Sequence, residues 1–258
     1  MAPDRISMTQ RRESLILEVT RDLFVQRGYL GTNMDLIARA ARCSKPTVYR
    51  HFACKEEIVL ALAIEGVRKR VELFRRALML PGLARERIIG LAVADMLFGV
   101  LFPRHCKMER IIGAASIREK TSLARRQEYD GLLFRCLELA AAPVREALAG
   151  GDLVLSGDRT IGWVTHGFSA LAYGVRMPVS GQALDEAAMG GIMARLQDYY
   201  HAFMDGLGWQ PLSGQWDYAA TIRRIRVDLF ADEFHRLQAH GADAGVVADW
   251  LLVSGMEG

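Results

Sequence analysis

Residues 32–52 read TNMDLIARAARCSKPTVYRHF, and this stretch decides the fold of the N-terminal part of the chain. Its first half predicts a short helix capped by Thr32 or Asn33, because apolar residues recur at helical spacing at Leu36, Ile37, Ala40 and Ala41. Its second half predicts another helix, capped by Ser44. Since Pro46 lacks a backbone N–H, the Ser44 hydroxyl must accept from the amide of Thr47. Two short helices joined by so tight a turn indicate a helix-turn-helix, a DNA-binding motif.

The second of these helices has an apolar side and a side rich in hydrogen-bond donors. Val48 and Phe52 are four residues apart and should point inward. The other face then presents donors suited to phosphate oxygens and major-groove base edges, at Lys45, Thr47, Tyr49, Arg50 and His51. A solvated helix pair would explain the charges, but it would not explain this density of donors after a tight turn.

Longer helices are predicted on both sides of this motif. An apolar face from residue 11 to residue 27 predicts a supporting first helix, with Gly28 at the left-handed position that commonly ends one. A fourth helix should run from Lys55 to about residue 80, before Pro81. It is long enough to transmit motion from the rest of the chain to the DNA-binding helices.

Residues of about 11 to 62 resemble the DNA-binding domain of the tetracycline-repressor (TetR) family of bacterial transcriptional regulators. The resemblance lies in F-x-x-x-G-Y at 24–29, in Thr32 with Ile37-Ala38, and in S-K-P-T-V-Y-R-H-F at 44–52 followed by K-E-E. It implies a DNA-binding domain at residues 1–55, with the fourth helix at 55–80 as connector. Residues 81–258 would then form a larger helical domain for effector binding and dimerisation.

The resemblance also implies DNA contacts by Lys45, Thr47, Tyr49 and His51, with Thr32 and Lys55 at flanking phosphates. Together with the donors of the turn and the second helix, the predicted DNA-binding residues are Thr32, Arg42, Ser44, Lys45, Pro46, Thr47, Tyr49, Arg50, His51 and Lys55.

The chain departs from the family pattern at two positions. Arg42 and Cys43 stand where the family usually has Gly and an aliphatic residue, so either Arg42 adopts a strained conformation costing about 1 kcal/mol or the turn differs. Cys54 replaces the usual Ser or Asn cap, which should weaken the start of the fourth helix by about 0.5–1 kcal/mol.

The composition fits a globular protein whose positive charge is concentrated at one end. The 258 residues are 51% hydrophobic and carry a net charge of +3, enough for one small and one larger domain. Residues 1–80 contain 15 Lys and Arg against 9 Asp and Glu, whereas residues 81–258 contain 18 against 21. The balance of +6 against −3 favours a DNA-binding N-terminal part and a body that stays off DNA.

Several other classes of protein and site are disfavoured. The four cysteines lack metal-binding spacing, so we expect no metal and no cofactor; a thiol sensor pairing Cys106 with Cys136 is the alternative to inert buried thiols. No catalytic constellation or phosphate-binding loop can be argued from local spacing, which predicts a non-enzyme. The absence of a long apolar segment and of a signal-peptide pattern predicts a cytoplasmic protein that does not associate with a membrane.

Beyond Pro81 the sequence predicts only helices, at about 84–101, 105–115, 118–149 with an interruption near Pro143, 157–176, 185–207 and 215–239. Nothing alternates with a period of two, so the fold class is all-α. The apolar tail from Ala242 should pack as a short helix on the body or on a partner.

The helix at 157–176 is apolar on more than one side, which predicts burial all round, either in a monomer core or partly against a second subunit. The family resemblance implies a homodimer. The predicted interface residues are Ile161, Val164, Phe168, Leu171 and Val175, with the small residues Ala187, Gly191 and Ala194.

The resemblance further implies a cavity for a small-molecule effector, although each aromatic residue of the body could equally be plain core. The residues predicted to line it are Phe98, Phe102, Met108, Phe134, Trp163, His166 and Tyr173.

These observations predict a homodimeric, ligand-responsive transcriptional regulator, a repressor in the usual case. It would bind a twofold-symmetric double-stranded DNA operator and be released by a small-molecule effector. The alternative is a DNA-binding architectural protein, or an activator, without a small-molecule ligand.

Overall fold

The computed structural model describes residues 3–112, 115–176 and 196–239, and these residues form helices and turns with no strand among them. The all-α prediction is therefore confirmed. In chain order the helices are α1 (Pro3–Arg27), α2 (Met34–Ala40), α3 (Lys45–His51), α4 (Lys55–Ala77), α5 (Ala84–Leu101), α6 (Pro103–Ile112), α7 (Ala115–Glu119), α8 (Leu123–Gly150), α9 (Ile161–Arg176), α10 (Leu196–Gly206), α11 (Tyr218–Arg224) and α12 (Ala231–Ala239). A short 3-10 turn (Ser213–Gln215) and a π-helical turn (Ile225–Leu229) flank α11.

The chain divides into two compact units. Unit 1 comprises residues 1–68 and 102–133, and unit 2 comprises residues 69–101 and 134–258. Helices α4 and α8 each contribute residues to both. Unit 1 thus contains the predicted DNA-binding residues and also α6, α7 and the start of α8. The predicted functional division into residues 1–55 and 81–258 remains a prediction.

In unit 1, residues 102–133 brace the first half of α4. The Arg125 guanidinium on α8 lies 2.8 Å from a carboxylate oxygen of Glu57 on α4. His105 of α6 is buried directly against Gly66, where an added Cβ would come within 3.0 Å of the His105 Cβ. Glycine at position 66 therefore lets α6 approach α4 closely.

In unit 2, α5 is buried along most of its length and carries a charged network at its N-terminal end. The fully buried Arg85 side chain donates to Asp205 of α10 at 2.6 Å and to the main-chain carbonyl of Trp209. Burial, together with the neighbouring Arg85 cation, lowers the pKa of His201 to about 4. The adjacent Glu86 carboxylate accepts hydrogen bonds from Thr221 and Arg224. These bonds fix α10 and α11 on α5.

Several of the predicted helix limits are wrong. The predicted helix at 118–149 is divided between α7, which ends at Glu119, and α8, which begins at Leu123, and α9 begins at Ile161 where a start at about residue 157 was predicted. Helix α8 continues through Pro143 without interruption, and Pro143 lies in a buried stretch with Ala141 and Val144. Proline removes one helical hydrogen bond, but packing of the surrounding apolar residues offsets that loss. The predicted helix at 215–239 begins later and is divided. The Asp217 carboxylate accepts from the Ala220 amide at 2.8 Å and starts α11, and the π-helical turn Ile225–Leu229 separates α11 from α12.

Within the described residues, no single helix has both the length and the apolar character needed to cross a membrane. Among the same residues, only the pair formed by α5 and Pro103–Glu109, which is bent by 97°, has that length and composition.

Candidate DNA-binding site

Helix α2 begins at a side-chain cap that settles the choice between Thr32 and Asn33. The Asn33 carboxamide oxygen accepts from the Leu36 amide at 2.9 Å. Thr32 is buried, and its hydroxyl donates to the Gly28 carbonyl at 2.9 Å, which ties the end of α1 to the start of α2. Thr32, predicted to contact a flanking phosphate, therefore has a structural role in this structure.

The turn after α2 contains the strain that the sequence allowed for. Arg42 has a φ of +48°, in the left-handed region that favours glycine. Its amide donates to the Arg39 carbonyl at 3.1 Å, and the Cys43 amide donates to Ala38 at 3.0 Å. These are the two hydrogen bonds of a Schellman helix end, in which the left-handed residue is usually glycine. The turn thus keeps its common geometry with an exposed arginine in it.

Helix α3 begins as predicted. The Ser44 hydroxyl accepts from the Thr47 amide at 3.3 Å, past Pro46 in the first turn. Val48 and Phe52 are buried, which confirms the inward face. Of the predicted DNA-binding residues in the turn and in α3, Thr47 and His51 are half-buried, while the exposed ones are Arg42, Ser44, Lys45, Pro46, Tyr49 and Arg50.

Lys45, at the start of α3, is paired with a carboxylate of α2. The Lys45 ammonium lies 2.8 Å from a carboxylate oxygen of Asp35, and both side chains are about half exposed. The hydrogen bond to Asp35 raises the pKa of Lys45, so this side chain stays charged. Sequence reasoning did not assign Asp35 to the site, because no local spacing links positions 35 and 45.

Lys55 is held by main-chain carbonyls. Its ammonium donates to the carbonyls of Tyr29 and Thr32, at 3.1 and 3.2 Å, and lies 4.0 Å from the centre of the Tyr29 ring. The next residue, Glu56, accepts from the Tyr29 hydroxyl at 2.7 Å. Burial raises the pKa of Glu56, whereas the hydrogen bond from the Tyr29 hydroxyl lowers it, and the resulting pKa lies below its usual range. Lys55 therefore joins α4 to the α1–α2 loop, and its predicted phosphate contact stays a prediction.

The seven residues predicted to line an effector cavity are not gathered in one unit. Phe102 and Met108 belong to unit 1, and the other five belong to unit 2. Phe98 is fully buried in α5, with the Arg70 guanidinium 4.3 Å from its ring centre. The side chains of unit 2 that are exposed among them are those of Phe134, Trp163, His166 and Tyr173.

The apolar seam predicted as the dimer interface faces the core of unit 2. Val164 and Phe168 are buried, and the Phe168 ring packs on Tyr200 and Phe203 of α10 at centroid distances of 5.2 and 5.1 Å. Ile161 and Leu171 are half-buried. The predicted interface residues outside the described residues are Ala187, Gly191 and Ala194, together with the side chain of Val175.

The exposed face of α9 lies beside this buried seam. Trp163, His166, Ala170 and Tyr173 form a continuous exposed stripe at helical spacing. Trp163 stacks on Phe203 of α10, with the ring centroids 5.8 Å apart, and Tyr199 of α10 is 41% exposed. Within the described part of unit 2, the aromatic side chains of this stripe are accessible to a second subunit, whereas Val164 and Phe168 of the seam are buried.

Comparison with known proteins agrees with this geometry. Residues 16–62 match the family model described as bacterial regulatory proteins, tetR family. Over 58 residues, 22% of this chain, the protein is 47% identical to an uncharacterized HTH-type transcriptional regulator of Mycobacterium tuberculosis, covering 29% of that protein. Over 85 residues, 33% of this chain, it is 36% identical to the HTH-type transcriptional activator FasR of Mycolicibacterium smegmatis, covering 38% of that protein. The match thus spans less than two fifths of either relative.

A solved structure extends the likeness in fold beyond the DNA-binding residues. The transcriptional regulator FadR of Bacillus subtilis, solved with stearoyl-CoA, superposes with a TM-score of 0.58 at 14% identity, over 75% of this chain and 98% of FadR. The motif, its caps and its turn, the family match and the shared helical fold agree. The chain belongs to the TetR family of bacterial regulatory proteins.

Proposed function

We propose that the protein is a homodimeric transcriptional regulator that inserts α3 into the major groove of a twofold-symmetric operator. The observation that carries this proposal is the arrangement of α3, in which Val48 and Phe52 anchor the helix while Lys45, Tyr49 and Arg50 stay exposed. Exposed cations and hydroxyls can reach phosphates and base edges together only when the helix is fixed from behind. The net charge of +6 in residues 1–80 also favours binding of this part of the chain to the negatively charged DNA backbone.

Dimerisation through the exposed aromatic stripe of α9, together with Tyr199 of α10, is part of the proposal. Trp163 and Tyr173 are 46% and 57% exposed. Large aromatic side chains are enriched in protein interfaces, where they bury much area at little cost in entropy. A twofold interface would present two α3 helices about one DNA turn, roughly 34 Å, apart.

We further propose that a small apolar or amphipathic molecule binds the helical body and lowers operator affinity. The stearoyl-CoA bound to FadR makes long-chain acyl-CoA a reasonable first probe. Linkage requires that operator DNA weaken effector binding by the same factor by which the effector weakens DNA binding. Calorimetric titration of stearoyl-CoA, with and without operator, tests this; equal affinities in the two titrations would exclude release by that compound.

The primary experiment is selection of operator sequences from random duplex DNA by the purified protein, followed by mobility-shift titrations. Lys45→Ala should relax preference at one position of each half-site. Tyr49→Phe should weaken binding to all sequences alike if the hydroxyl contacts phosphate. Lys107→Ala, which removes an exposed cation of unit 1 outside the helix-turn-helix, is the matched control and should leave affinity unchanged.

Salt dependence gives an independent measurement. Six to ten phosphate contacts would reduce affinity about 10³–10⁵-fold between 50 and 200 mM salt. Wild-type affinity in a Lys45→Ala, Tyr49→Phe double variant would refute the assignment of α3. Because the relative FasR is an activator, a reporter assay must be able to register both repression and activation.

A further inference from the structure

An acidic side chain lies within the surface that the proposed function assigns to DNA. Asp35 projects from the first turn of α2, and Lys45 from the first residue of α3. The two line one open depression of about 310 Å³ on unit 1, and Tyr49 of α3 lines it too. DNA placed on the exposed side of α3 therefore brings its phosphates close to the Asp35 carboxylate.

The ion pair between these two residues affects any DNA that approaches. With its ammonium 2.8 Å from Asp35, Lys45 can contact a phosphate only after it leaves this carboxylate or shares it. The freed carboxylate then faces the negatively charged backbone, which is unfavourable. Non-operator DNA offers no compensating contact, so both effects lower the affinity of the protein for it.

A particular base sequence can offset these effects. A carboxylate is an acceptor, and the cytosine amino group in the major groove is a donor that Asp and Glu recognise. A site with cytosine at the position facing α2 would satisfy Asp35 and release Lys45 to a phosphate or base edge. Specificity is a difference between two affinities, and a charge that penalises the wrong partner contributes to it.

We propose that Asp35 is a specificity-determining residue that lowers affinity for non-operator DNA by pairing with Lys45 and selects a cytosine in each operator half-site. This inference rests on the proposed DNA-binding function and adds a residue that neither the motif nor the predicted contacts include.

The test compares Asp35→Asn with the wild type against two probes, the operator obtained by selection and a random duplex of equal length. Asp35→Asn should bind the random duplex more tightly than the wild type does and lower the ratio of operator to random affinity. Release of one lysine to phosphate in each half-site should steepen the salt slope by about 1.8 for the dimer, so that affinity for the random duplex falls about 12-fold further between 50 and 200 mM salt. Selection with the variant should lose its base preference at one position per half-site.

Two controls isolate the mechanism. Asp130→Asn removes an exposed carboxylate of the same unit that is paired with Arg118 at 2.7 Å, and it should leave the affinity ratio unchanged. In a Lys45→Gln background, Asp35→Asn should no longer steepen the salt slope, because there is no ammonium to release. Thermal unfolding of each variant, followed by circular dichroism, verifies that the exposed substitutions leave the fold intact.

The outcomes distinguish failure of the proposed role of Asp35 from failure of the proposed DNA-binding function. An unchanged ratio in Asp35→Asn, or an equal change in Asp130→Asn, would overturn the role of Asp35 while leaving the proposed function in place. A wild-type protein that enriches no sequence would overturn the proposed function, and the role of Asp35 with it.

Discussion

Arg42 combines backbone strain with a predicted DNA contact, and the effects of the strain and of the charge can be separated by replacing it with glycine. With a φ of +48°, an L-residue here carries a cost of about 1–2 kcal/mol that glycine does not. Glycine also loses more conformational freedom on folding, which costs about 0.5–1 kcal/mol. Arg42→Gly should therefore raise the free energy of unfolding by about 0.5–1 kcal/mol, equivalent to a rise in Tm of about 1–4 °C for a chain of this size.

The same substitution should weaken DNA binding. Arg42 is exposed and lies two residues before the Ser44 cap of α3, so the loss of its charge should remove one phosphate contact per half-site. The salt slope should become shallower by about 1 for each half-site. Stability and affinity are then expected to change in opposite directions, as is common where strain is kept at a functional position.

Arg42→Ala is the matched control, because alanine keeps the strain and removes the charge. It should lose as much DNA affinity as Arg42→Gly while unfolding at about the wild-type temperature. Scanning calorimetry and salt-dependent mobility-shift titrations measure the two quantities. Equal unfolding temperatures for the glycine and alanine variants would refute the argument from strain, and a wild-type salt slope in either variant would refute the phosphate contact.

Two further predictions concern unit 2. Phe168→Asp should disrupt the fold of this unit, because it places a carboxylate in the core at a cost of several kcal/mol, whereas Trp163→Asp on the exposed stripe should weaken the dimer without unfolding it. Sedimentation and circular dichroism of both variants distinguish core from interface, and a fully dimeric Trp163→Asp would place the interface elsewhere. In the folded protein the pKa of His201 is lowered from 6.5 to about 4. Between pH 6.5 and pH 4 the unfolded chain therefore binds more protons at this histidine than the folded protein does. The contribution of His201 to stability is complete above pH 6.5 and is lost as the pH falls towards 4. Denaturant titrations should show the free energy of unfolding falling by up to about 2 kcal/mol from pH 7 to pH 5 on account of this group, a loss that His201→Gln should abolish; an equally steep loss in that variant would assign the pH dependence to other groups.

The features that the sequence predicted well are those decided within one or two helical turns. The Ser44 cap follows from a hydroxyl three residues before a free amide, and the inward face of α3 follows from the spacing of Val48 and Phe52. The strain at Arg42 follows from a backbone geometry that the turn requires whatever residue occupies it. In each case the atoms that interact belong to residues close together in the sequence.

The features that could not be predicted depend on partners far apart in the sequence. The Glu57 carboxylate at the start of α4 accepts from the Ser122 amide and pairs with Arg125, and no local pattern in the sequence indicates either partner. Lys55 has the charge and position of a phosphate contact, and only the fold shows that its ammonium donates to main-chain carbonyls of the α1–α2 loop. Periodicity identifies apolar faces but not their partners, which is why the seam containing Phe168 was assigned to a second subunit.

The proposed DNA-binding surface contains one feature that could be predicted from the sequence and one that could not. Exposure of Lys45 could be predicted from helical periodicity, whereas its pairing with Asp35 depends on the angle between α2 and α3 that the Schellman turn sets. Arg42 occupies the left-handed position of that turn, so a substitution there can affect DNA recognition both through the loss of its charge and through the position of the neighbouring helices. A change in DNA preference in Arg42→Gly beyond the loss of one phosphate contact would indicate that the Asp35–Lys45 geometry had shifted. An unchanged preference would show that the hydrogen bonds of the turn hold α2 and α3 in place without the arginine.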